Sequence, residues 1–227
     1  MAELIAIVGP SGSGKSTSLK GLNPEESAII SVTGKALPFR GWKKMYTPFS
    51  SDGTTGNYFK TDNAELMIGV MKGISNSRPE IKNIVIDDYN YGATFELFQR
   101  SKESGYGKFT DMANSIAKPV IEGTKLRGDL KIFILNHDET IMEDTKPLRK
   151  IKTIGKMVDN SLVMEGLFTV VLFTDVRKDE NGKIVHSFVT QNDGSTTAKS
   201  PDGMFETELI PNDLGIVVKA IDYYYEG

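Results

Sequence analysis

The residues with the clearest chemistry sit near the start of the chain: Gly9, Pro10, Ser11, Gly12, Ser13, Gly14, Lys15, Ser16 and Thr17, in unbroken succession. Glycine lets the backbone take shapes that a Cβ forbids, so successive N–H groups in such a loop can turn inward around an anion. Lys15 adds a point charge suited to the β- and γ-phosphates of a nucleotide, and the Ser16 hydroxyl is the expected Mg²⁺ ligand. Residues 4–8 form an almost continuous apolar run, as in a parallel strand buried on both faces, and residues 15–22 read as a helix. Strand, glycine loop and helix are the context in which Gly-x₄-Gly-Lys-Ser works as a P-loop. ATP and Mg²⁺ are therefore the expected ligands, with residues 9–17 holding the nucleotide.

A phosphate loop needs a partner carboxylate. The apolar stretch 84–86 ends in Asp87 and Asp88. Asp87 is expected to hold Mg²⁺ through water, next to Ser16. Asp88 stands where an acid could orient or deprotonate the attacking water, and it reads equally as a turn former or helix cap before Tyr89 and Asn90. A further apolar run, 132–135, ends in Asn136 and His137, either of which can hydrogen-bond a γ-phosphate oxygen or the nucleophilic water. His137 has an ordinary structural reading as well. Glu139 is one more carboxylate, or simply a solvated one.

Positioning these groups requires alternating strands and helices. Residues 27–32, 81–86, 131–135 and 167–174 read as strands, and 63–74, 95–102 and 109–126 as helices, the first capped by Asp62 with Leu66, Val70 and Ile74 on one face. Residues 183–191 form a last strand, joined to its predecessor through Asp179-Glu180-Asn181-Gly182. The Asn-Gly pair makes that join a hairpin. Residues 215–225 fit a helix or a strand. The stretch 33–60 is an irregular excursion, with short strands expected at 44–46 and 58–60. The fold class is thus a three-layer α/β P-loop domain over residues 1–227, with a largely parallel central sheet and an antiparallel C-terminal hairpin at its edge.

Bulk properties narrow the class further. The 227 residues, 39% hydrophobic and 25% charged, are ordinary globular usage, which sets disorder and fibres aside. A net charge of −3 argues against a surface that is basic all over, but leaves room for a local basic stripe. Without cysteine, neither disulfides nor thiolate metal sites can form. A cleavable signal has no room ahead of the P-loop, and the apolar run 167–173 is too short to span a bilayer, so a cytoplasmic protein with no membrane partner is expected.

The loop alone does not choose a family, since the same string occurs in transporter ATPases and resembles guanylate kinases. A transporter ATPase would carry a Leu-Ser-Gly-Gly-Gln-like signature before Asp87; there is none, and Ser104-Gly105-Tyr106-Gly107 follows it instead. A nucleoside monophosphate kinase clamps two phosphorylated substrates with arginines, whereas the six here are scattered singly at 40, 78, 100, 127, 149 and 177. The chain resembles instead the AAA-type, RecA-like ATP-binding proteins of bacteriophage replication and recombination modules. The P-loop, residues 84–89, residues 133–139 and the segment 154–205 carry that resemblance. It implies an ATPase in DNA transactions, working beside single-stranded DNA or a single-strand annealing or binding protein, in the host cytoplasm if phage-encoded. Small-molecule phosphotransfer and a slow ATP-dependent switch remain the alternatives.

Two departures stand out: no glutamate follows the second strand, and there is no obvious arginine finger. Lys199, beyond the hairpin and before Ser200-Pro201, is a candidate finger acting on a neighbouring subunit, and Lys156 a second. Either would require a homo-oligomeric ring or filament. Trp42, Lys43, Lys44 and Tyr46, flanked by Lys35 and Arg40, mix bases with aromatics as single-strand binders do, though they serve as well to cover a sheet edge.

Overall fold

The structure, a computed structural model, describes residues 1–105, 107–153 and 163–227. Its centre is one eight-stranded sheet built on β1 (Glu3–Val8), β2 (Ser27–Ser31), β3 (Tyr58–Lys60), β4 (Asn83–Asp87), β5 (Lys131–Asn136), β8 (Val170–Lys178), β9 (Ile184–Val189) and β10 (Leu209–Pro211), in the order β10-β9-β8-β1-β5-β4-β2-β3. From β8 to β3 every pairing is parallel; β9 and β10 add antiparallel strands at one edge. The expected hairpin is therefore present, and it carries one more strand than the sequence suggested.

The parallel strands are apolar throughout because both faces are covered. Leu4, Ala6 and Val8 point to one face, where they meet Met67, Met71 and Ile74 of α2 (Ala64–Ser77) and Val120 of α4 (Gly107–Thr124). Ile5 and Ile7 point to the other, against Leu19, Leu22 and the Leu214, Val217 and Ile221 face of α5 (Leu214–Glu226). These are the three layers. Residues 215–225 are thus helical, with the Asp213 carboxylate accepting from the N–H groups of Gly215 and Ile216.

Several local readings are corrected. The helix expected at 15–22 is a 3₁₀ helix, Ser16–Gly21; Leu22 is extended, and two residues on, Pro24, which cannot donate a helical hydrogen bond, opens a separate 3₁₀ turn. The cap of α2 is Asn63, whose Oδ1 takes the Leu66 N–H at 3.0 Å, and its buried face is Met67, Ile68, Met71 and Ile74, with Leu66 exposed. Residues 42–45 form a helical turn, α1 (Trp42–Met45), where a strand was expected. The helix expected at 95–102 is α3 (Asn90–Gln99). An unanticipated hairpin, β6 (Asp138–Glu143) and β7 (Lys146–Ile151), follows β5 directly, its turn made by Asp144 and Thr145, both with positive φ. Among the described residues no helix is long and apolar enough to cross a membrane.

A candidate nucleotide site at the strand ends

Parallel sheets leave a crevice at the carboxyl ends of their strands, and the P-loop, Asp87, Asp88, Asn136 and His137 lie there. Val8 and Asn136 are paired across β1 and β5, so the P-loop and the Asn136-His137 corner are adjacent. Strand β5 also pairs with β4, whose last residue is Asp87, and Asp87 is in register with Ser31 of β2. Four strand ends thus surround one crevice.

The loop is shaped for close approach. At Gly9 a Cβ would lie 1.7 Å from Thr174 Oγ1, so no larger residue fits while that threonine caps the turn, its hydroxyl donating to Val8 O at 3.3 Å. Gly14 has φ +101°, a region L-residues rarely enter. His186 of β9 reaches the loop from the sheet edge, its Nδ1 3.0 Å from Ser13 O, a contact that requires a proton on that nitrogen. No backbone acceptor among the described residues takes the N–H of Gly12, Gly14, Lys15 or Ser16. Those donors are what a phosphate chain would meet. The 3₁₀ helix behind them is six residues long, so the loop amides and Lys15, not a helix dipole, supply most of the positive potential.

Lys15 is 6% exposed and turned back on its own loop, donating to Gly9 O at 2.6 Å and Pro10 O at 3.0 Å. Burial pulls its pKa down to about 8, against the pull of Asp88, Asp138 and Asp87 in the other direction. Ser16 Oγ donates to Asp87 Oδ1 at 2.8 Å. The other carboxylate oxygen, Asp87 Oδ2, is buried without a partner. Burial first, and then the charge of Asp88, push the Asp87 pKa up to about 6, with the Ser16 hydrogen bond opposing. A hydroxyl and a carboxylate with a free oxygen are hard donors of the kind Mg²⁺ takes, so Ser16 and Asp87 fit that ion. Ser16 and Asp87 would hold the ion there, where its positive charge would offset that of the phosphates.

Asp88 is 3% exposed with φ +62°, and its carbonyl accepts the Tyr91 N–H at 3.0 Å. The turn-forming role therefore belongs to its backbone. The carboxylate does not cap α3; Oδ2 accepts from Thr33 Oγ1 at 2.8 Å and pairs with Lys35 Nζ at 2.6 Å. Asn136 folds its amide back, Nδ2 donating to Ile134 O at 3.0 Å. His137 keeps a buried Nε2 without a partner, packs edge-to-face on Tyr91 at 5.5 Å, and is fixed by Asn90 Oδ1, which accepts its backbone N–H at 2.5 Å. Burial, followed by the charge of Lys15, holds His137 below the usual histidine range. Of the two residues at this corner, His137 has the fully buried polar atom without a partner. Glu139 faces its cross-strand partner Lys150, with Oε1 at 3.3 Å from the ammonium; that oxygen is buried and accepts no hydrogen bond among the described residues.

Lys199 is not in a free loop. Its N–H and C=O bond to Val171 on β8 at 3.0 and 2.8 Å, and its side chain is half-buried. Lys156 and the start of the 154–205 segment lie outside the described residues, as does Tyr106. The basic–aromatic stripe does not survive intact. Tyr46 is 1% exposed in the core, Trp42 packs on Tyr58 with ring centroids 5.5 Å apart, and Lys35 belongs to the crevice. The aromatics cover the β3 edge, so Arg40, Lys43 and Lys44 remain as the exposed part. Sequence reasoning had not placed Thr33, Lys35, Thr174 or His186 in this site, since none carries a local signature.

No protein-family model matches the chain, and no curated protein matches it either. Among solved structures, a match is the genome packaging NTPase B204 from Sulfolobus turreted icosahedral virus 2 in complex with ATP-gammaS. It is 11% identical with a TM-score of 0.39, covering 80% of this chain and 78% of that one. So distant a likeness says nothing about the site, whose chemistry rests on its own geometry.

Proposed function

We propose that this protein is a Mg²⁺-dependent ATPase acting in DNA replication or recombination. The observation that carries the ATPase half is the Ser16–Asp87 contact beneath the P-loop, with Asp87 Oδ2 buried and unpartnered. In this reading the loop amides and Lys15 hold the β- and γ-phosphates, and Asp88 takes the proton of the attacking water. His137 Nε2 meets the γ-phosphate or that water. The DNA half is supported by the resemblance of the sequence to phage RecA-like proteins and by the exposed Arg40, Lys43 and Lys44. The Asp88–Lys35 ion pair favours a second reading, a slow switch, because Asp88 Oδ2 is already engaged by Lys35 and Thr33 rather than open to a water.

Phosphate release from ATP, with and without single-stranded DNA and with nucleoside monophosphates as acceptors, separates these readings. Stimulation of roughly tenfold or more by DNA is expected, corresponding to about 1.4 kcal/mol off the barrier. Phosphorylation of an added monophosphate would replace the ATPase reading with phosphotransfer. A slow rate indifferent to DNA, with tight nucleotide binding, would leave the switch.

A further inference from the structure

Lys35 is a basic residue that the excursion brings to the crevice, where its ammonium group meets Asp88. Its loop leaves β2 at Ser31, the strand end in register with Asp87. Ser31 Oγ accepts the Gly34 N–H at 3.1 Å, and Gly34 has φ +66°, so the chain reverses at once over the strand ends. The reversal brings Thr33 Oγ1 and Lys35 Nζ to the same oxygen, Asp88 Oδ2. The two partners differ sharply in burial: Asp88 is enclosed, while the Lys35 side chain is 54% exposed. The ammonium group is therefore anchored at one side and free to move at the other. Burial works against its charge, but Asp88 outweighs that and holds Lys35 above the usual lysine range. Its charge is felt at Lys15, Asp87 and His137, the residues that ring the expected phosphate position.

We propose that Lys35 is the site's second catalytic cation, contacting the γ-phosphoryl oxygens of ATP bound to the same subunit by exchanging Asp88 for them. This inference rests on the ATPase reading above. The exchange has a chemical consequence. Lys35 and Thr33 both occupy Asp88 Oδ2; once Lys35 moves to the phosphoryl group, that oxygen loses one of its two partners and can take a hydrogen bond from water. Water oxygen then bonds to Pγ while its proton passes to Asp88. The bond from Pγ to the β,γ-bridging oxygen breaks, and its electron pair leaves with ADP. Lys35 neutralises charge on the transferred group, the task that an arginine finger performs elsewhere. No neighbouring subunit is needed for that task, which sets this arrangement apart from a Lys199 finger. The same contact makes the site respond to the γ-phosphate, because ADP gives Lys35 no reason to leave Asp88.

The test is calorimetric binding of Mg·ATPγS and Mg·ADP to wild type, Lys35→Met and Lys35→Arg. Lys35→Met is expected to bind ADP within about twofold of wild type and ATPγS roughly 10- to 100-fold more weakly, the range for a charge-assisted contact. Lys35→Arg should recover part of the difference. The double variant Lys35→Met/Asp88→Asn should not recover it; if it does, Lys35 serves only to neutralise Asp88, and the proposal is wrong. Mixing Lys35→Met with Lys15→Met subunits should restore no turnover, because both lysines belong to one site, and restored turnover would contradict action within a subunit. A Lys35→Met protein with the wild-type preference between the two nucleotides overturns the role of Lys35 alone. Wild type that binds neither nucleotide would overturn the ATPase reading itself, and the inference with it.

Discussion

Lys15→Met is expected to abolish ATP hydrolysis and yet leave the nucleotide-free protein at least as stable as wild type. Both halves follow from the burial of one ammonium group. Among the described residues Lys15 has the carbonyls of Gly9 and Pro10 as direct partners, and its pKa is drawn down from 10.5 to about 8. A folded-state pKa below the unfolded one means that the charged form is penalised by folding. The penalty is absent above pH 10.5 and complete below pH 8, and at neutral pH it amounts to roughly 3 kcal/mol. Methionine fills similar space without that charge. Thermal denaturation of the two proteins at pH 7.5 should therefore show the variant equal or higher in Tm. Wild type should gain on the variant as pH rises from 8 towards 10.5. With nucleotide the order reverses, since phosphates supply the countercharge that Lys15 lacks. The variant should lose the stabilisation by Mg·ATPγS, and its turnover should fall by a factor on the order of 10²–10³ or more. A Lys15→Met protein that is markedly less stable without nucleotide would show that burial does not penalise the Lys15 charge as described.

Asp87→Asn should remove the Mg²⁺ dependence of nucleotide binding, with an effect on the metal-free protein that depends on pH. Burial, reinforced by Asp88, raises the Asp87 pKa from 3.8 to about 6. Here the folded value exceeds the unfolded one. The stability that this group contributes is fully present below pH 3.8 and is lost as pH rises through 6. At pH 7.5 the ionised carboxylate costs as much as roughly 3 kcal/mol, which the asparagine avoids. In metal-free buffer the difference in Tm, variant minus wild type, should grow by several degrees between pH 4 and pH 7.5. Added Mg·ATPγS should raise the wild-type Tm and leave the variant near its unliganded value. A pH-independent difference would mean that Asp87 is not the strained acid described above. Equal stabilisation of both proteins by Mg²⁺ would place the metal elsewhere.

What the sequence made legible was local. Gly9 to Ser16 carry their geometry in consecutive residues, and Asp87 ends an apolar strand, so both could be placed without knowing which strands are neighbours. Lys35 could not. Among glycines, prolines and aromatics it reads as one more surface base, and only the pairing of β2 with β4 brings it to Asp88. His186 and Thr174 are hidden for the same reason, since each meets the P-loop across more than 160 residues of chain. The β6–β7 hairpin escaped because Asp144-Thr145 replaces the Asn-Gly pair that marked the later hairpin, and because its strands are largely exposed and lack a buried apolar face. Trp42 and Tyr46 were open to two readings, a stacking surface or a sheet-edge cover, and the structure takes the second. Aromatics beside lysines suggest a stacking surface, but the β3 edge needs covering, and burial there outweighs exposure.

In the function proposed above, the P-loop, Ser16 and Asp87 form a Mg²⁺-dependent site that cleaves ATP. The most direct measurement is the inorganic phosphate released from ATP by the wild-type chain, with Mg²⁺ present and with it chelated, beside Lys15→Met as background. The arrangement of Asp87 and Lys15 predicts steady release with the metal, and release no faster than the Lys15→Met background without it. Equal release in both conditions, or release by Lys15→Met at the wild-type rate, would contradict it.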